Sequence, residues 1–150
     1  MFRRSLLSLL LLPLARNARA ANAWSLVSAD EVERDRSAPR KALTRGLALP
    51  NAPQIQVLTP EESARLPHPF SVHAKFIPAP DATIVVSSFR ATYGWLEIDI
   101  TDRLLQHARV TADGVAAEDV DAPSGEHRVN VSIADSLGRV GHRSFRFTIA

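Results

Sequence analysis

The chain has 150 residues and a formal charge of +2. That length holds one ordinary domain, with or without a tail, and argues against two full ones. No cysteine is present, which excludes disulfides, thiol catalysis, thiolate metal sites and a lipid-modified cysteine. Four of the eighteen basic residues (Arg3, Arg4, Arg16 and Arg19) lie in the first 23 positions, which hold no acid. Fourteen basic residues face sixteen acidic ones from Trp24 onward, so that part has no basic surplus to draw nucleic acid or an anionic membrane.

Residues 1–23 read as a secretory signal peptide. Arg3 and Arg4 precede the apolar run Ser5–Leu14, and two small-x-small sites follow, Ala18-Arg19-Ala20 and Ala21-Asn22-Ala23. The run is too short to span a bilayer, which needs about 20 apolar residues. Cleavage after Ala20 or Ala23 leaves a soluble chain, periplasmic or secreted, with no stable membrane insertion. Arg3-Arg4-Ser5-Leu6-Leu7 also loosely fits a twin-arginine leader, and both export routes stay open. The Ala, Arg and Leu content of the leader has a bacterial look.

Residues 24–52 read as a flexible linker rich in proline and charge. Ser28-Ala29-Asp30-Glu31 has capping-box spacing, but Asp30–Arg36 offers one apolar residue, Val32, and so little to bury. Pro39, Pro50 and Pro53 punctuate the basic stretch that follows. The alternative is that Trp24-Ser25-Leu26-Val27 docks, on the domain or on a partner.

From residue 53 onward the period becomes two. Ile55 and Val57 alternate with glutamines, and Phe70, Val72, Ala74 and Phe76 alternate with Ser71, His73 and Lys75. Ile84–Tyr93 is β-rich. Leu96, Ile98 and Ile100 alternate with acids, and Val129, Val131, Ile133, then Phe145, Phe147, Ile149, alternate with polar residues. Such segments predict an all-β antiparallel sandwich over 53–150. Thr101–Ala108 predicts one short helical crossover, capped by Thr101 or Asp102, with His107 and Arg109 in water. In the last hairpin the apolar residues on both sides of the turn carry odd numbers, so the loop has an odd length. A three-residue loop, Ser136-Leu137-Gly138, pairs Val129 with Phe145 and puts Gly138 where a left-handed residue is wanted.

Gly125–Gly138, with Phe145-Arg146-Phe147 after it, resembles the last two strands of bacterial immunoglobulin-like domains. A Gly-x-His start leads there into an alternating strand, an Asp-x-x-Gly turn and an aromatic closing strand. Ile84–Phe89 and Ile98–Thr101 are similar to the middle strands of those domains. The turn glycine is usually followed by asparagine, and here Arg139 stands in that place. The resemblance implies an immunoglobulin-like fold and a role as spacer, adhesion or interaction module.

No residue set points to catalysis, and the chain reads as a non-enzyme without cofactor. The histidines His68, His73, His107, His127 and His142 lack ligand spacing and read as solvated surface groups. Asp99, Asp102, Asp113, Asp119, Asp121 and Asp135 carry hard oxygens suited to calcium, but no Asp-x-Asp-x-Asp-Gly loop arranges them. Glu118, Asp119 and Asp121 read as solvated loop charges. No Gly-x-Ser-x-Gly elbow supports a serine hydrolase, which is the third alternative. The candidate surface is the turn Tyr93-Gly94-Trp95, flanked by Arg90 and Thr92. If both rings face out they anchor an envelope protein or stack on a glycan such as peptidoglycan; if the turn folds over, they cap the core. The expectation is thus an accessory or protein-binding module, with a carbohydrate-binding module as alternative, monomeric or dimerised through edge strands.

Overall fold

The computed structural model describes residues 23–40 and 49–150. Residues 1–22 and 41–48, and with them nearly all of the leader and the middle of the linker, lie outside the described residues. The elements run β1 (Trp24–Ser25), α1 (Ala29–Ser37), β2 (Gln54–Thr59), β3 (Ala64–Leu66), β4 (Phe70–Ile77), β5 (Ile84–Tyr93), β6 (Ile98–Asp99), α2 (Thr101–Leu105), β7 (Ala108–Thr111), β8 (Gly114–Asp121), β9 (Gly125–Asp135) and β10 (Val140–Ile149).

Two five-stranded sheets result. The first runs β1-β8-β4-β2 with β7 also beside β8, and the second runs β3-β10-β9-β5-β6. Pairings are antiparallel except β1 on β8 and β3 on β10. The sheets stack face to face as a sandwich. Phe70 of the first meets Phe147 of the second at 5.1 Å between ring centroids, and Phe76 meets Phe89 at 6.2 Å. The inward residues are those that sequence parity selects: Ile55, Ala74, Phe89, Ala91, Val129, Val131, Ile133, Phe145, Phe147 and Ile149 are all buried.

The closing hairpin has the expected register. Val129 faces Phe145, the Asp135 amide donates to the Arg139 carbonyl while the Gly138 amide donates to the Asp135 carbonyl, and Gly138 sits at φ +77° in the three-residue loop, with Leu137 exposed at its tip. Asp135 is buried inside this turn. Its Oδ1 accepts from the Leu137 and Arg139 amides and its Oδ2 from Arg139 Nε, while Arg139 also reaches Asp81 at 2.8 Å. Burial alone would raise the Asp135 carboxyl, but these hydrogen bonds outweigh it and the group is held below the usual carboxylate range.

Three expectations about the sandwich need correction. The segment Leu96–Ile100 is not one strand: only Ile98–Asp99 pairs with β5, Leu96 is 49% exposed in the turn, and Ile100 is buried just before α2. The α2 helix has no side-chain cap, because the Thr101 hydroxyl is spent inside. It accepts from the Ala91 amide and donates to the Ala91 carbonyl, bridging to β5. Glu118, Asp119 and Asp121 lie in β8, not in a loop.

The largest difference is at the chain start. Residues 24–38, expected as part of a tether, are packed on the sandwich, and the alternative in which Trp24–Val27 docks on the domain is the arrangement found. Trp24, Leu26, Val27 and Val32 belong to the buried cluster. The Leu26 amide donates to Asp121 O, and Trp24 Nε1 donates to Glu118 O at 2.9 Å while its ring stacks on the exposed His107 at 4.7 Å. The Ser28 capping box forms as its spacing predicts. The helix is anchored by charge: Arg103 of α2 grips Glu31 with two bonds of 2.9 Å and also donates to Leu26 O. The Arg103 guanidinium holds the Glu31 carboxyl down at about 2. The helix has little apolar face, yet tertiary ion pairing, its own buried Val32 and the buried Trp24, Leu26 and Val27 just before it hold it.

Candidate functional site

The turn Gly94–Glu97 joins β5 to β6, and α1 seats against it. The Asp35 carboxylate accepts from the Leu96 amide at 2.8 Å. Gly94 is required twice over. Its φ is +70°, and a Cβ there would fall 2.3 Å from the Asp35 carboxylate.

The two rings of the candidate surface part company. Tyr93 is buried, and it is not part of any exposed platform. Its hydroxyl meets His127 Nδ1 at 2.7 Å, while His127 Nε2 meets Pro123 O at 2.5 Å. A carbonyl only accepts, so Nε2 carries the proton and Nδ1 accepts from the phenol. His127 is thus a core histidine, 1% exposed, and not a surface one as expected. The parity that sends Val129, Val131 and Ile133 inward extends back to 127 and was the available signal. Burial pushes the Tyr93 phenol up to about 12 and the His127 imidazole below its ordinary 6.5.

That histidine gives the fold an acid sensitivity. The unfolded chain takes up this proton near pH 6.5, and the folded chain only at lower pH. The associated stability is complete above 6.5 and is lost as pH falls through the folded value. Urea midpoints are therefore expected to drop between pH 7.5 and 5. The His127→Gln variant starts lower and shows a shallower drop, and an unchanged slope in that variant would contradict the assignment.

Trp95 remains half-buried at the surface. The Arg128 guanidinium lies 4.5 Å from its ring centroid and that of Arg40 lies 5.5 Å away. Arg90 is exposed, with its guanidinium on the Phe89 carbonyl, and Thr92 is half-buried beside Asn130. The structure therefore keeps Trp95, Arg90 and Thr92 at the outer face of the second sheet and removes Tyr93. It adds Arg128 and Leu96.

A second polar group lies on the outer face of the first sheet. Glu118 takes the Ser71 hydroxyl on Oε2 and His73 Nε2 on Oε1 at 2.6 Å, and His68 meets Asp121 at 2.6 Å. These bonds, from Ser71 first and then His73, lower the Glu118 carboxyl. The order is wrong for a nucleophile. In an acyl-transfer triad the imidazole sits between hydroxyl and acid; here the acid sits between the other two. Among the described residues no three His, Asp or Glu side chains converge as a metal site, and no helix is long and apolar enough to cross a membrane.

No protein-family model and no curated protein matches the chain. Solved structures with a similar arrangement include an endo-beta-1,4-mannanase from Thermotoga petrophila, at 12% identity and TM-score 0.48 over 65% of this chain and 20% of that one. CopC from Methylosinus trichosporium OB3b matches at 10% identity and TM-score 0.44, over 63% of this chain and 92% of that one. An engineered protein matches at 11% identity and TM-score 0.44, over 65% and 20%. This chain therefore spans about a fifth of the mannanase and of the engineered protein. Likeness at this distance carries no argument about chemistry.

Proposed function

We propose that the chain is an exported, non-catalytic, immunoglobulin-like accessory module of a bacterial envelope, which holds a partner on the outer face of its second sheet. The leader pattern of residues 1–23 supports export, and the closing hairpin with its buried Asp135 turn supports the immunoglobulin-like reading. One observation carries the docking face: Trp95 stays half-exposed with two guanidinium groups near its ring and the exposed Leu96 beside it. Tryptophan and arginine are the side chains that most often dominate binding energy at interfaces. A glycan in place of a protein partner is the second reading. It is favoured by a shallow polar groove of about 250 Å³ on the same sheet, lined by Ser63, Glu126, Arg146, Phe147 and Thr148.

The test is a photo-cross-linking residue at position 96, used in cells. A discrete adduct is expected, and Trp95→Ala is expected to abolish it while lowering the melting temperature by only a few degrees. A loss of about 3 kcal/mol or more in Trp95→Ala would instead mark a core aromatic. An adduct that survives Trp95→Ala would remove Trp95 from the docking surface.

A further inference from the structure

The outer face of the second sheet carries arginines in register. Arg146 of β10 lies directly opposite Arg128 of β9, and Arg65 of β3 lies opposite Thr148, one position along from Arg146's row on the same face. With neighbouring strands about 4.8 Å apart, the three positions cross roughly 10 Å of sheet. Trp95 on Arg128, with Arg40 near the same ring, extends the band at its β5 end. Two rows further on, Arg90, Ser132 and His142 align across β5, β9 and β10. Between these rows sit Ser144, Asn130 and Thr92.

Among the described residues, none of Arg65, Arg90, Arg128 and Arg146 forms a salt bridge, whereas Arg103, Arg139 and Arg143 each do. Like charges directly opposite in a sheet are destabilising. The Arg128–Arg146 pair is therefore a cost that an incoming anion would remove. Acids near this face include Glu126 in the groove, Asp99, which lies within charge attraction of Arg90, and Asp35, whose carboxylate takes the Leu96 amide beside Trp95.

We propose that this face binds an acidic glycan, a chain of sugars bearing carboxylates or sulfates. The proposal rests on the docking face above and takes the glycan, the second reading of its partner, as the occupant. Guanidinium forks match planar carboxylates and sulfates in pairs of hydrogen bonds. Ser63, Thr148 and Glu126 in the groove supply the mixed donors and acceptors that sugar hydroxyls need. A protein partner fits the band less well, because the centre of a protein interface is largely apolar and here it is serine, asparagine and threonine. Nucleic acid and anionic lipid also fit less well, since the chain from Trp24 onward has more acids than bases and so gives no long-range attraction.

The experiment is titration calorimetry of the exported chain with polygalacturonate, heparin and neutral dextran, with duplex DNA and phosphatidylglycerol vesicles as controls. At least one acidic glycan is expected to bind and dextran is not. Arg146→Ala with Arg65→Ala is expected to weaken binding tenfold or more, and Arg146→Ala alone to leave the melting temperature equal or raised. Equal affinity for DNA, vesicles and glycans, unmoved by the double variant, would reduce the face to unspecific charge and overturn the proposal. Failure to bind either acidic glycan while the position-96 adduct persists overturns the glycan chemistry and leaves the docking face standing. Loss of both overturns both.

Discussion

Val27→Asp is expected to cost more than about 4 kcal/mol. Val27 is 0% exposed, in the middle of the arm that runs from β1 into α1. A carboxylate there has no partner, and an uncompensated buried charge is among the most costly single changes. For a domain of this size that is a fall of about 15 °C or more in melting temperature. A tether predicts the opposite, because substitutions on an exposed, unpacked segment stay within about 0.5 kcal/mol. Thermal denaturation followed by circular dichroism separates the two. A second variant gives the same answer by another route. Arg103→Ala strips Glu31 of both its ion-pair bonds and leaves the Leu26 carbonyl without that donor. With Arg103 itself 37% exposed, solvent softens the effect to about 2 kcal/mol. If neither variant moves the transition, the arm does not hold the fold.

Phe147→Ala is expected to cost about 3–5 kcal/mol. The ring is 1% exposed and joins three others: Phe70 across the sandwich, Phe145 on its own strand, and His127 next to it on β9. The interior already holds a small apolar cavity of about 30 Å³ that Phe147, Phe145, Phe89 and Leu104 border. Truncation enlarges that void, and each added cubic ångström costs about 24 cal/mol. Against a total of about 5–15 kcal/mol, the variant stands close to unfolding at 37 °C. Phe147→Leu keeps most of the volume and is expected to cost under about 1.5 kcal/mol. Equal losses for the two would mean the ring is not packed as described. Urea denaturation of the three proteins decides it.

Parity made the sandwich legible. Odd-numbered residues of β9 and β10 point inward without exception from Val129 to Ile133 and from Phe145 to Ile149, and the loop length follows from that alone. The same rule carries His127 and Asp135 inward and Arg128 and Arg146 outward. Strand β8 was hidden because its parity breaks. Val115 and Ala117 are buried, then Val120, and the shift falls at Asp119, where φ is +52°. Strand β7 offers only Ala108 and Val110, too few residues to show a period. The arm was hidden for another reason. One valine on a charged helix predicts no packing, and the groups that hold it, Arg103 and the Leu96 amide, lie more than sixty positions away. Contacts at that separation leave no local pattern. Of the candidate site, the turn was legible but the side its rings face was not: Trp95 stays at the surface while Tyr93 goes inward, and Arg128 reaches Trp95 through strand register and Arg40 through the fold of the arm.

The kink at Asp119 has a consequence for how the molecule meets its own kind. Before it, the open rim of β8 is satisfied by β7 over Gly114–Ala117; after it, the rim is displaced by one residue and β7 no longer reaches. A short run of unpaired amides and carbonyls at Val120 and Asp121 would then invite any passing extended chain to add itself. Trp24 and Ser25 take that berth. The arm is a plug as much as a brace, and it denies a template for intermolecular strand growth at the very point where the hairpin of β7 and β8 runs out.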